Sequence, residues 1–211
     1  IVWNVSVKNK VVSGDNIQGQ VVDMGSILVN SDDADWSVKP AKRIGDTAFF
    51  NDYSGYLGQT FDVDTIFTFD MSSFMDETHK DWVAISLRNQ DPYTSCLNGN
   101  TEYNISFNYH TIEVQKFDSG KRTILYGNHT GFTSIYGELP NNFFYSNTRH
   151  SIKVGAVDVE DGVRLFMYVD NNLVFDIVDS DNPIRTGGYF AIYPETQMIS
   201  LHAYTNQDTS P

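Results

Sequence analysis

Apolar and polar residues alternate along most of this chain, and turn residues cut the alternation at short intervals. Successive side chains of a strand point to opposite faces, so such runs predict strands with one buried side. "WNVSVKNKVVSG" and "GQVVDMGSILVN" open the series as early strands. "GQTFDVDTIFTFDM" places Phe61, Val63, Phe67 and Phe69 on one face. "DWVAISLRNQDPY" places Val83, Ile85 and Leu87 on one face and Trp82, Ala84, Ser86 and Arg88 on the other. "EYNISFNYHTIEVQKF" directs Tyr103, Ile105, Phe107 and Tyr109 inward and, after a reset near His110, Ile112 and Val114.

The last third is the most regular. "HSIKVGAVDV", a turn at Glu160-Asp161-Gly162 and "VRLFMYV" bury Val163, Leu165, Met167 and Val169. Asn171-Asn172 suits a two-residue hairpin turn, because Asn tolerates the left-handed backbone such turns need. "LVFDIVD", the loop "SDNPIRTGG", "YFAIYP" and "MISLHAY" follow. Short strands spaced about 8–12 residues apart predict an all-β fold, two antiparallel sheets packed face to face as a β-sandwich. The one helical candidate is "SSFMDETHKD", 72–81. Segments 31–58 and 126–148 lack periodicity and are predicted as long loops, a frequent home of function.

Composition narrows the class. The 211 residues are 40% hydrophobic and 14% aromatic, enough for one substantial core, so a single domain over 1–211 is expected. Charged residues are 19%, below the ~25% of an average soluble domain, which favours a secreted, strand-rich protein. A net charge of −13 sets the chain against phosphate backbones, so neither nucleic acid nor an anionic membrane surface is a fitting partner. The single Cys96 excludes an internal disulfide framework and a Cys-based zinc site. No apolar run is long enough to insert in a membrane as a helix. The strand-like start "IVWNVSVKNK" and polar end "TNQDTSP" suggest a monomeric domain tethered to others in a larger protein.

The order of motifs carries a resemblance. "WVAISLR", "YNISF", "IEVQKF", "GKRTIL", "HSIKVGAVDVEDGVRLFMYVDNNLVFDIVDSD" and "GGYFAIY", over roughly 60–204, resemble the concanavalin-like, laminin-G-like jelly rolls. Those domains serve as carbohydrate-binding modules and sugar-enzyme domains of secreted bacterial proteins. The resemblance implies a jelly-roll sandwich that binds a polysaccharide or oligosaccharide. It implies first a non-catalytic carbohydrate-binding module anchoring a polysaccharide-degrading enzyme to its glycan. A glycoside hydrolase or polysaccharide lyase of the same sandwich is the alternative, and an adhesin or protein-interaction domain a second one.

Alternation assigns an outward set for such a ligand. Trp82, Arg88, Asn108, Glu113, Arg164 and Tyr168 are the candidate binding residues, with flat rings for sugar C–H faces and in-plane groups for hydroxyls. The competing reading is an ordinary solvated sheet face. If Arg88 and Arg164 share a groove they could grip a uronic acid with paired hydrogen bonds; otherwise they pair with Glu113 or Glu102 inside the protein. "DSDNP", "NSDDAD" and "DVED" are acidic loops, and the resemblance implies one structural calcium ion, for which Asp179 and Asp181 are the candidate ligands. No catalytic residue is assigned. The closely spaced acids of sandwich glycosidases, a G-x-S-x-G elbow and a Gly-rich phosphate loop are all missing, and the five histidines are scattered.

Overall fold

The computed structural model describes residues 17–73, 82–107, 112–127, 148–194 and 199–202. They form two stacked sheets. The first contains β1 (Gln20–Asp23), β2 (Lys42–Ile44), β3 (Thr47–Phe50), β5 (Thr65–Ser73), β10 (His150–Val159), β11 (Gly162–Val169), β12 (Asn172–Asp179) and β14 (Ile199–His202). Its order is β12-β11-β10-β5-β14-β3-β2, with β1 parallel to the first half of β5. The second contains β4 (Ser54–Gly55), β6 (Val83–Asn89), β7 (Glu102–Phe107), β8 (Ile112–Asp118), β9 (Lys121–Tyr126) and β13 (Tyr189–Pro194), in the order β4-β13-β6-β7-β8-β9.

The core between them is what alternation predicts. Phe67, Phe69 and Met71 of β5, Ile152 and Val154 of β10, and Val163, Leu165, Met167 and Val169 of β11 face Val83, Ile85 and Leu87 of β6 and Tyr103, Ile105 and Phe107 of β7. Full burial of each large apolar side chain stabilises the fold by roughly 1.5–3 kcal/mol. The all-β two-sheet sandwich is therefore the observed fold.

Several local expectations need correction. "GQVVDMGSILVN" is not one strand: β1 ends at Asp23, and α1 (Met24–Asn30) follows. Asp23 ends the strand because its carboxylate accepts from Ser26 N (3.0 Å) and Ser26 Oγ (2.7 Å), capping the helix that buries Met24 and Leu28. The 31–58 loop contains three short strands, β2, β3 and β4. The β11–β12 turn falls one residue early, at Asp170-Asn171, whose φ values of +49° and +63° are the left-handed pair a tight hairpin needs. Ser72 and Ser73 end β5 and are not helical. The rest of the 72–81 candidate, the first predicted strand, the region around His110 and most of the 126–148 loop lie outside the described residues.

One irregularity matters for the site. Across the β6–β13 pair, Ser86 faces Ala191 but Asn89 faces Tyr189, so the register shifts between them. This is a β-bulge, and Arg88 within it has φ +51°. The extra residue flips the alternation after Leu87. Arg88 turns toward the other sheet, and Asn89 takes the outward place.

Candidate functional site

The predicted shelf is not one surface. Trp82 and Glu113 belong to the outer side of the second sheet, whereas Arg164 and Tyr168 lie on the outer side of the first, beyond the core. Arg88 lies on neither, and Asn108 is outside the described residues. Sequence order hides this, because β10 and β11 join β5 while β6, β7 and β8 join β13.

Neither arginine is available to a ligand's carboxylate. Arg164 grips Asp176 through Nε to Oδ1 (2.8 Å) and Nη2 to Oδ2 (2.6 Å), both residues buried. Those bonds hold its guanidinium above its usual range. Tyr168 is half-buried, its ring 6.2 Å from that of Phe166. Arg88 is buried and ties the two sheets together. Its Nη1 donates to Asp158 Oδ1 (2.8 Å) and Ile184 O (2.6 Å), and its Nη2 donates to Ala156 O (3.1 Å) and Val63 O.

The outer face of the second sheet carries a polar layer built around Glu102, which is fully buried. Glu102 Oε2 accepts from Asn89 Nδ2 (3.0 Å) and Asn100 Nδ2 (2.8 Å), and Oε1 from Asn104 Nδ2 (3.0 Å). Burial pushes its carboxyl up to about 7, outweighing the hydrogen bonds from Asn104, Ser86 and Asn100 that favour the anion. Asn89 also donates to Tyr53 Oη (2.8 Å) and Ser86 Oγ (3.0 Å). Burial, then the nearby Glu102, holds the Tyr53 phenol well above its usual range. Glu113 is buried on the same face and accepts from Gln115 Nε2 at 2.5 Å. The predicted open shelf of amides is thus mostly an internal layer.

That layer fixes the loop between β6 and β7. Asn100 Oδ1 accepts from Asp91 N (3.0 Å), and Asp91 in turn accepts from Tyr93 N (3.0 Å) and Thr94 Oγ1 (2.7 Å). Pro92 packs on Gly55, where a Cβ would come within 2.4 Å of the proline ring. Cys96 lies 4.0 Å from Asn104 Nδ2, and burial pushes its thiol up to about 12, which leaves it unreactive. The loop so held presents Tyr93 and Leu97, 74% and 70% exposed. On the face beside it, the Tyr53 and Tyr193 rings pack at 5.5 Å, both half-buried. Tyr193 pairs with Ala84, two residues from the half-buried Trp82 on the same face. Tyr53 and Tyr193 escape the pattern of alternation because the first precedes a two-residue strand and the second lies in a distant segment. The dipeptide Pro92-Tyr93, in a polar loop, is the visible signal for the third.

The acid pair needed for glycoside hydrolysis does not assemble from the two glutamates. Glu102 faces Phe117 and Glu113 faces Ser106 across the β7–β8 pair. Four residues of strand separate them by ~13 Å, beyond the ~5–9.5 Å of catalytic carboxylate pairs. His202 bridges Thr47 Oγ1 (3.0 Å) and Ser72 Oγ (3.3 Å), and burial pushes its imidazole down.

The calcium expectation meets a different arrangement. Asp179 is fully buried, and both carboxylate oxygens accept from Lys116 Nζ, at 3.0 and 2.9 Å. Tyr103 Oη donates to Asp179 Oδ2 at 2.7 Å. Asp181 is exposed and offers its backbone carbonyl to the same ammonium. A divalent ion at Asp179 would have to share its place with a positive charge, so these residues do not fit calcium as they stand. Among the described residues no group of three or more His, Cys, Asp or Glu side chains is placed to hold a metal. Nor is any helix among them long and apolar enough to cross a membrane.

No protein-family model matches the sequence, and no curated protein matches it significantly. Solved structures do align with it. The carbohydrate-binding module CBM66 from Bacillus subtilis aligns with a TM-score of 0.52 at 15% identity, covering 81% of this chain and 94% of that one. The carbohydrate recognition domain of Emp46p aligns at 0.45 with 11% identity, covering 83% and 87%. The alginate lyase A1-II′ aligns at 0.43 with 8% identity, covering 75% and 77%. At these identities the first comparison establishes the concanavalin-like sandwich fold and no function.

Proposed function

We propose that this chain binds a neutral glycan, without transforming it, on the aromatic surface of Trp82, Tyr53, Tyr193 and Tyr93. The observation that carries the proposal is Tyr93, 74% exposed on a loop whose backbone is pinned by Asp91 and Asn100. A ring carried on a backbone held in that way costs no loop ordering when it stacks against a pyranose. The likeness in fold to a carbohydrate-binding module supports the same reading. Neutral ligands are favoured over uronates because Arg88 and Arg164 are committed to Asp158 and Asp176, and Asp91 lends negative charge to the neighbourhood of Tyr53. In its parent protein the domain would be secreted, tethered and monomeric. It would keep a catalytic neighbour close to its polymer by raising effective concentration.

Affinity electrophoresis in gels containing neutral β-glucans, mannans or fructans, with polygalacturonate as the anionic control, tests this. Retention is expected in a neutral gel and not in the anionic one. Tyr93→Ala should weaken it roughly two- to tenfold, the range for one aromatic contact. Because Tyr93 is exposed, its melting temperature should hardly move. Tyr168→Ala, on the opposite sheet, should leave retention unchanged. No retention in any neutral gel, or new reducing ends or unsaturated products on incubation, would overturn the reading.

A further inference from the structure

We infer that the Asp179–Asn182 turn is a cation cage whose resident cation is the protein's own Lys116 ammonium. We infer further that shortening Lys116 turns the cage into a site for a divalent, oxygen-seeking ion. Lys116 Nζ lies among four oxygens: Asp179 Oδ1 and Oδ2 at 3.0 and 2.9 Å, Asn182 O at 3.2 Å, and Asp181 O. Its side chain is 7% exposed and that of Asp179 is 0%. A carboxylate buried so completely either takes up a proton, as Glu102 does, or needs a positive partner, since an uncompensated internal charge costs several kcal/mol.

The sandwich supplies that partner from the facing sheet. Lys116 comes from β8, opposite Tyr103 of β7. Asp179 ends β12, at the edge of the other sheet. Tyr103 Oη completes the carboxylate's shell and accepts from Ile184 N at 2.9 Å, so the turn is fixed at both ends. Carboxylate and loop carbonyls are the donor set that calcium takes, with water filling the remainder of six to eight positions. Ser180, Asp181 and Asn182 are exposed, which gives an ion and its waters a way in. In the natural sequence two cations would compete for one carboxylate, so the ammonium excludes the metal.

The test compares melting temperatures of the whole chain and its Lys116→Ser and Lys116→Met variants in EDTA and in millimolar CaCl2. The natural protein is expected to melt within about 1 °C in both. Lys116→Ser should melt about 10 °C lower in EDTA, as expected for an orphaned buried carboxylate in a chain of this size, and regain at least half of that loss in calcium. Lys116→Met should be lowered equally in both buffers, because its side chain fills the cage without a charge. A natural protein whose melting rises with calcium and falls with EDTA would overturn the inference. So would a Lys116→Ser protein that calcium does not rescue, including one insoluble in both buffers.

Discussion

Arg88→Met is expected to destabilise the protein by about 3–5 kcal/mol, measured by urea unfolding, with an unchanged denaturant slope. Methionine matches the length of the arginine stem, so the loss is one of charge and hydrogen bonding, with little change in volume. It leaves Asp158 without its shorter ion pair and removes the side-chain donor from the carbonyls of Val63, Ala156 and Ile184. Those carbonyls belong to three separate segments, which only the planar fork of a guanidinium reaches together. Arg88→Lys should recover part of the loss, since an ammonium keeps the Asp158 pair and loses the fork. The contrast with Arg164 is instructive. Arg164 and Asp176 lie on adjacent strands of one sheet and could be replaced together by apolar residues at little cost. Arg88 joins two sheets. A loss below about 1 kcal/mol for Arg88→Met would mean that the bulge, not the side chain, fixes this corner.

The two-layer fold was legible because it rests on period-two burial, and Phe67, Phe69, Leu165, Met167, Ile105 and Val114 lie where alternation puts them. The site was legible only in part, for three physical reasons. Alternation gives the side of a strand but not the sheet to which the strand belongs, so Arg164 and Tyr168 were grouped with Trp82 across a whole core. A single bulge reverses every later side chain of its strand, and no local residue announces the one at Leu87-Arg88. Polar residues on an outer face are also not necessarily wet: Asn104 and Glu113 are buried. The pairing of Asp179 was hidden for a related reason. Its partner, Lys116, is 63 positions away, and acidic spacing alone cannot show that a cation is already supplied.

Stability is expected to fall by about 3 kcal/mol between pH 4.5 and pH 8 through Glu102 alone, a shift of about 2.5 pKa units at 1.36 kcal/mol each. The sign follows from which state holds the proton. Burial raises the folded carboxyl from 4.5 to about 7, so below pH 4.5 both states are protonated and the group's contribution is fully present. As the pH rises the unfolded chain releases its proton first, and the contribution is lost through the folded value near 7. Three amide donors surround the carboxylate, yet none carries a charge, and neutral donors do not replace bulk water around a fully buried anion. The measurement is urea unfolding from pH 4.5 to 8.5 for the natural protein and for Glu102→Gln, which keeps the shape and cannot ionise. The variant should be the less stable partner at pH 5, because its own amide hydrogens meet those of Asn89 and Asn100, and the gap should close by about 3 kcal/mol at pH 8. Parallel profiles would show that Glu102 keeps its charge throughout. Since Asn100 also anchors the loop carrying Tyr93, the same titration should loosen that loop at alkaline pH, and glycan retention should weaken in step with stability.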